Sequence, residues 1–534
     1  MNLVRVCVLF IFGFLTIIAS CAKDDMQKKN VKYVDQGTEW TDEERNDFYI
    51  WGQGSELLPY TWMLALKDNT GQPFLADGMK RYGLLPIDGR KLPVGFSLGN
   101  DVNGIQQVGL NCAACHTRQI NFGEDQYRID GGPALFNMEV MIRELIGSVE
   151  ATINDPARFN TFHAEVTRLS KELGQPAPPD LTTFKEQVAQ RILPEKELLA
   201  AAFPSQNMWG IGRIDALNQI FNRAAGIDLA VPPAVVVREA FAPADVPVRP
   251  PFLWNVGRQD YTQWGGTFAN GNKYQALLRN TSEVIGVFAH FRPVPDPSKP
   301  GGFDMLKDNS ADFKGLKYLE ELIDKIRPPR WPFQVDAVLA AQGKVIFENE
   351  CASCHGPKPG EARPPSMSQT WATPSINVNT DATYYKTLAR TAPTGPLSGI
   401  LGPVALIGNI SGYMSQTMNK QYDPTFKSIE GRTPPAGSYE ARVLEGIWAA
   451  APYLHNGSVP TLDDLLKPAA QRPTVFYIGT DYDISKVGLS SNQKPITGYE
   501  YNTSVKGNGN GGHEYGTQLS TQQKTSLIEY LKNL

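Results

Sequence analysis

The segment NCAACH at residues 111–116 returns as ECASCH at residues 350–355, and a chain that carries this pair has few folds open to it. Each copy sets two thiols three positions apart with a histidine directly behind: Cys112, Cys115 and His116, then Cys351, Cys354 and His355. Three chemistries use paired thiols in this way. A thioredoxin-like redox pair asks for a strand before it and a helix N-terminus after it, and gives the next residue no special role. A zinc site needs four ligands in a closed tetrahedron, so each isolated set of three must import a fourth. Covalent haem attachment uses all three residues, two thiols as thioethers to the porphyrin vinyl groups and the adjacent imidazole as proximal iron ligand. Because the whole triple is repeated, the reading is two covalently bound haem c groups, one per motif.

The remaining cysteines fit an exported protein. The chain has six, and Cys7 and Cys21 lie near the amino end, so none is left for a structural disulfide. An oxidising compartment closes free vicinal thiols, which argues against ordinary thiol pairs if the chain is exported. Arg5 followed by the apolar run Val6–Ile18 has the form of an export signal. Ile18-Ala19-Ser20-Cys21 resembles the bacterial lipoprotein cleavage box, which predicts a lipoprotein signal peptide over 1–20, a lipidated Cys21 and a tether over 21–45; a soluble export signal that contains Cys21 is the other reading. This places the protein on the periplasmic side of a bacterial membrane or at the cell surface, held by its N-terminal lipid. No later stretch approaches 18 uninterrupted apolar residues. With 51 basic against 55 acidic side chains, a net charge of −4 gives no electrostatic reason to expect nucleic acid as a partner.

The expected class is mostly α: two cytochrome c-like haem domains with long loops and an enlarged N-terminal domain. Each motif should be followed at a distance by an amphipathic helix that packs near it. Leu316, Leu319, Ile323 and Ile326 supply the first, stopped by RPPRWPF. Ser520 with Gln523 forms a capping box for the second, whose apolar face is Leu527, Ile528, Leu531 and Leu534. Val335–Glu350, with Val338, Leu339, Val345 and Ile346 on one face, should run as a helix into the second motif. The boundary falls at 327–333, giving an N-terminal haem domain over 46–330 and a C-terminal one over 331–534. Between His116 and Trp264 the first domain carries helical patterns at Met138–Ser148 and Asp180–Arg191, and the Pro-rich VPVRPPF and RPVPDPSKPGG read as loops over the surface. Strand signals are few.

With RIDGGPALF, PPFLWNVGRQDYTQWGG and GIWAAAPYLHNGSVPTLDDLL beside the two haem motifs, the chain resembles the bacterial dihaem cytochrome c peroxidases and, within that superfamily, the branch that includes the dihaem rubber oxygenases. The resemblance runs from about residue 90 to the end. It implies an electron-relay tryptophan, here Trp264, although Gln263 and Gly265 replace the aromatic residue and Asp of the family's turn. It implies a distal acid at Glu283, and His513 as distal ligand of the second haem with His455 near that haem's edge. Family peroxidases often carry calcium between domains, yet no D-x-D-x-D-G loop supports calcium here.

For the first haem no residue makes a comparable claim. Met138 and Met141 suit helix core positions, His163 sits in a helical pattern, and His290 is apolar-flanked. Met367, Met414 and Met418 are further options for the second haem. An iron without a sixth ligand takes dioxygen or hydrogen peroxide, with Phe252, Trp254, Phe268 and Phe288 as candidates for an apolar pocket around it. Two function classes follow. One is a haem-dependent oxidoreductase, of peroxidase or oxygenase type, fed by a small redox protein or a quinol-linked donor. The other is a non-catalytic dihaem electron-transfer lipoprotein with both irons saturated.

Overall fold

The computed structural model describes residues 31–203, 209–228, 234–270, 273–298, 302–360, 370–387, 432–493 and 499–534. The expected signal peptide, Cys21, and Met367, Met414 and Met418 lie outside them.

The first motif is seated by strands. Gln106–Leu110 runs between Leu58–Pro59 and Phe96–Asn100 in an antiparallel three-stranded sheet, then Asn111 caps the short helix Cys112–Cys115 by accepting from the Ala113 amide. The chain leaves along Thr117–Phe122, which pairs antiparallel with Asp125–Asp130, itself parallel to Val31–Tyr33. Gly95 lets the first sheet approach the motif: at φ +82°, a Cβ there would lie 2.0 Å from the Ala114 nitrogen. Asp130, inside RIDGG, is buried and accepts from Trp40 Nε1 at 2.8 Å, Tyr49 Oη at 2.6 Å and Arg45 Nε at 2.9 Å. It ties the amino-terminal segment to the motif sheet. The described residues hold seven small sheets, with strands of two to seven residues. Such lengths are too short for an apolar alternation to stand out, which is why the sequence shows so few of them.

The insert between His116 and Trp264 is largely helical. Met138–Asn154, Pro156–Glu172 and Leu181–Ala202 begin at Asn137, Asp155 and Asp180, whose side chains accept from first-turn amides. They bury Met138, Met141, Phe159, Phe162 and Phe184 in one core.

The helix Phe313–Ile323 buries Leu316, Leu319 and Ile323 and ends before the prolines. The helix Ala337–Glu350 runs into the second motif but turns a different face inward from the one expected. Val338 and Val345 are 69% and 57% exposed, and Ala340, Gly343 and Phe347 are the buried set. Close approach is the reason. The final helix, Thr521–Asn533, packs so tightly that a Cβ on Gly343 would sit 1.9 Å from the Ser526 carbonyl oxygen. Small residues, not the valines, make that contact.

Two loop expectations are corrected as well. Val246–Phe252 is buried, with Val248 bridged to Ile214 and the Arg249 amide bonded to the His455 carbonyl at 3.0 Å. Its prolines have no N–H to leave unsatisfied, so an extended Pro-rich segment enters the interior at low polar cost. Within RPVPDPSKPGG, residues 292–295 belong to the strand Phe291–Pro295, which pairs antiparallel with Phe303–Asn309.

The halves on either side of 327–333 share a core: Trp40, Phe48, Ile129 and Trp254 cluster with Trp448, Tyr453, Val487 and Leu527. Trp331 stands edge-on to Trp448 at 5.2 Å. No helix among the described residues is long and apolar enough to cross a membrane.

Candidate functional site

Each motif opens into its own cavity. Cys112, Cys115 and His116 line a space of about 1170 Å³ counting its mouth, and Cys351, Cys354 and His355 line one of about 1380 Å³. The paired helix expected near each motif reaches the matching cavity: Glu320 and Ile323 face the first, Leu527 and Leu531 the second. Arg249, Phe252, Trp264, Glu440 and Arg442 line both, so a single wall separates them.

The thiols fit attachment better than exchange. None of the four forms a disulfide. The first motif does follow a strand and open a helical turn, as a redox pair would, but burial pushes Cys112 and Cys115 up to about 12 and Cys351 up to about 11. A thiol poised for exchange needs the opposite shift. No three His, Cys, Asp or Glu side chains gather as a metal cage among the described residues.

In the second cavity two imidazoles stand near each other. His355 Nδ1 lies 2.8 Å from the Arg442 carbonyl oxygen, which can only accept, so Nδ1 carries the proton and Nε2 keeps its lone pair. The His513 ring centroid is 6.0 Å away. Two imidazole nitrogens each ~2.0–2.1 Å from one metal, with about 1.1 Å more to each ring centre, give roughly 6.3 Å. His513 Nδ1 has no partner among the described residues, and burial pushes the imidazole down to about 4. The glycine-rich approach is clamped, not slack. Gly512 lies against the backbone of Asn379, the His513 amide donates to the Val378 carbonyl, and Arg472 donates to the carbonyls of Asn510, Gly512 and His513. His455 is buried on the same cavity, stacked on Tyr439 at 3.8 Å and 6.3 Å from Trp264.

The first cavity differs. Burial pushes His116 down to about 3, the Pro251 carbonyl opposing. No second histidine or methionine lines the cavity among the described residues. His163 sits against the Pro179 carbonyl at 2.8 Å, His290 pairs with Asp308 at 2.7 Å, and Met138 and Met141 are core residues elsewhere. Glu283, on the helix Lys273–Gly286, lines the cavity and is raised by burial, while Gln263 Nε2 donates to its Oε1 at 2.7 Å and opposes the rise. Trp264 is fixed by Nε1 donating to the Arg249 carbonyl at 2.8 Å, with the Arg249 guanidinium 5.3 Å from its ring. Of the aromatic residues expected around this cavity, Phe252 lines it; Trp254 stacks behind Phe252 at 4.7 Å, and Phe268 and Phe288 pack into neighbouring cores. The sequence pattern placed them together by proximity in the chain, whereas Val246–Phe252 turns its own side chains inward.

Several lining residues escaped the sequence reading. Arg279 and Asn280 both bond Glu320, Arg279 Nη2 at 2.7 Å, and the Arg279–Glu283 spacing of one helical turn was a readable sign. Arg249 stood out as a charge inside an apolar, Pro-rich run. Arg442 and Glu440 gave no local sign; their positions follow from burial, which raises Glu440 to about 7 against the partial relief of Arg442 3.9 Å away.

Residues 437–477, which contain the whole GIWAAAPYLHNGSVPTLDDLL stretch, His455 included, match the family described as RoxA-like, cytochrome c-like. The uncharacterized protein y4iJ of Sinorhizobium fredii is 28% identical over 569 aligned positions, covering 93% of this chain and 92% of that protein. The uncharacterized protein y4iM of the same organism is 28% identical over 273 positions, 47% of this chain and 52% of that one. The cytochrome c-like segment supports haem c as the bound group and a redox role.

Proposed function

We propose that this chain is an exported dihaem c-type cytochrome, built as two cytochrome c-like haem domains and lipid-anchored through Cys21. It acts as a redox enzyme on dioxygen or hydrogen peroxide in the first cavity, with the second as electron store. Cys112, Cys115 and His116 hold one haem, and Cys351, Cys354, His355 and His513 the other. When bound, these groups supply one-electron chemistry and, at an open iron position, activation of the oxidant.

The difference between the cavities carries the reading: the second sets His513 opposite His355, whereas the first offers His116 an acid in place of a second ligand. Glu283 accepts from Gln263 at Oε1, so Oε2 is free to take a proton from the oxidant and return it. Phe252 and its neighbours exclude water from that exchange. Trp264, held against both cavities, is the candidate relay, and a small redox protein or a quinol-linked donor feeds the second cavity.

Intact mass and spectra of the purified holoprotein test this. Two added haem masses, one low-spin signal and one high-spin signal that responds to peroxide or dioxygen are expected. Two low-spin signals with no response would make the protein an electron carrier instead.

A further inference from the structure

A third and much smaller chamber lies beside the two large ones, lined by Arg118, Arg213, Arg249, Leu135, Pro452 and Ile478 among others. Arg118 projects from the strand that leaves the first motif and is 1% exposed, and its Nε and Nη2 have no hydrogen-bond partner among the described residues. Room for it is built in, since a Cβ on Gly132 would lie 2.9 Å from Arg118 Cβ. Arg249 is also buried, with Nε and Nη1 donating to the Leu454 and Ala450 carbonyls. Arg213 is held by the Trp209 carbonyl, Asn508 and Tyr499.

The charges do not balance. After burial, the influences on Arg118 are two phenols, Tyr482 and Tyr453, and those on Arg249 are Tyr453 and then two further cations, Arg442 and Arg118. No ion pair joins Arg118 or Arg249 to a carboxylate among the described residues. Burial and repulsion bring Arg249 down to about 9, still cationic at neutral pH. Buried cations persist when an anion compensates them. The chamber leaves about 10 Å³ for the centre of a water-sized particle, room for one. A water molecule would accept hydrogen bonds and leave the charge.

We propose that this chamber is an anion site that takes one halide-sized ion or the tip of a carboxylate. A carboxylate would come from a porphyrin propionate in the neighbouring cavities, both of which Arg249 also lines. The halide source does not depend on the haem reading, so the two stand or fall separately.

Holoprotein crystals grown in sodium bromide and measured at the bromine absorption edge locate the ion. Thermal midpoints titrated with bromide against sulfate at equal ionic strength report its effect. For a free halide, an anomalous peak within hydrogen-bond reach of Arg118 and a bromide-dependent rise in midpoint are expected, both lost in Arg118→Met. For a propionate, density runs from a porphyrin edge into the chamber, the midpoint ignores halide, and Arg118→Met lowers that haem's reduction potential. A lone water in the wild-type chamber, with neither a peak nor a propionate, overturns the proposal.

Discussion

An imidazole whose Nδ1 is committed to a carbonyl has one nitrogen left to offer, and His355 is in that position through Arg442. Its counterpart His513 is set by backbone bonds to Val378 and by Arg472. On the function proposed above, His513→Ala is therefore expected to convert the second haem from low-spin to high-spin. His513→Met should keep it low-spin and raise its midpoint by ~100 mV, a fraction of the ~0.8 V that axial ligands span; electron paramagnetic resonance with a redox titration distinguishes the two. In the first cavity, Glu283→Gln keeps the shape and removes the proton acceptor. Turnover with hydrogen peroxide should fall by ~10²–10⁴-fold. The Gln263 hydrogen bond lowers the Glu283 pKa, so Gln263→Ala raises it, and the limb of the pH–rate profile governed by Glu283 should move to higher pH. An unmoved limb would remove Glu283 from the reaction.

At the level of elements, the packing of Ala337–Glu350 on Thr521–Asn533 divides one helix into a face that matters and a face that does not. Gly343→Leu drives a side chain into the Ser526 backbone and should cost at least the ~1–3 kcal/mol of an overpacked core. Val338→Ser should stay within ~0.5 kcal/mol. Thermal unfolding of the two variants checks the assignment. The same helix shows what could be read in advance. Its existence, and the Ser520–Gln523 capping box of its partner, are local patterns and were legible. Which face turns inward was not, because a glycine apposed to a distant carbonyl leaves no mark in apolar periodicity. Likewise the repeated motif spacing was legible, while burial of Val246–Phe252 rests on Ile214 and His455, remote in sequence.

For the molecule as a whole, the shared core argues against two separable units. Trp448 is fully buried, donates to the Pro329 carbonyl at 2.8 Å and meets Trp331. Residues 331–534 produced alone should lack a cooperative unfolding transition, and co-production with 31–330 should restore one, as calorimetry would record. The two motifs were legible, and each opens a cavity of its own; the common wall was not, because Arg249 and Arg442 come from opposite halves. That wall also limits redesign. Val246–Phe252 is a single strap serving two chambers, so enlarging one to admit a bulkier substrate shifts Trp264 and Arg249 in the other. For the redox enzyme proposed above, a library that diversifies the first chamber alone is expected to yield variants with altered electron supply, and productive variants should arise as paired changes on both sides of the strap.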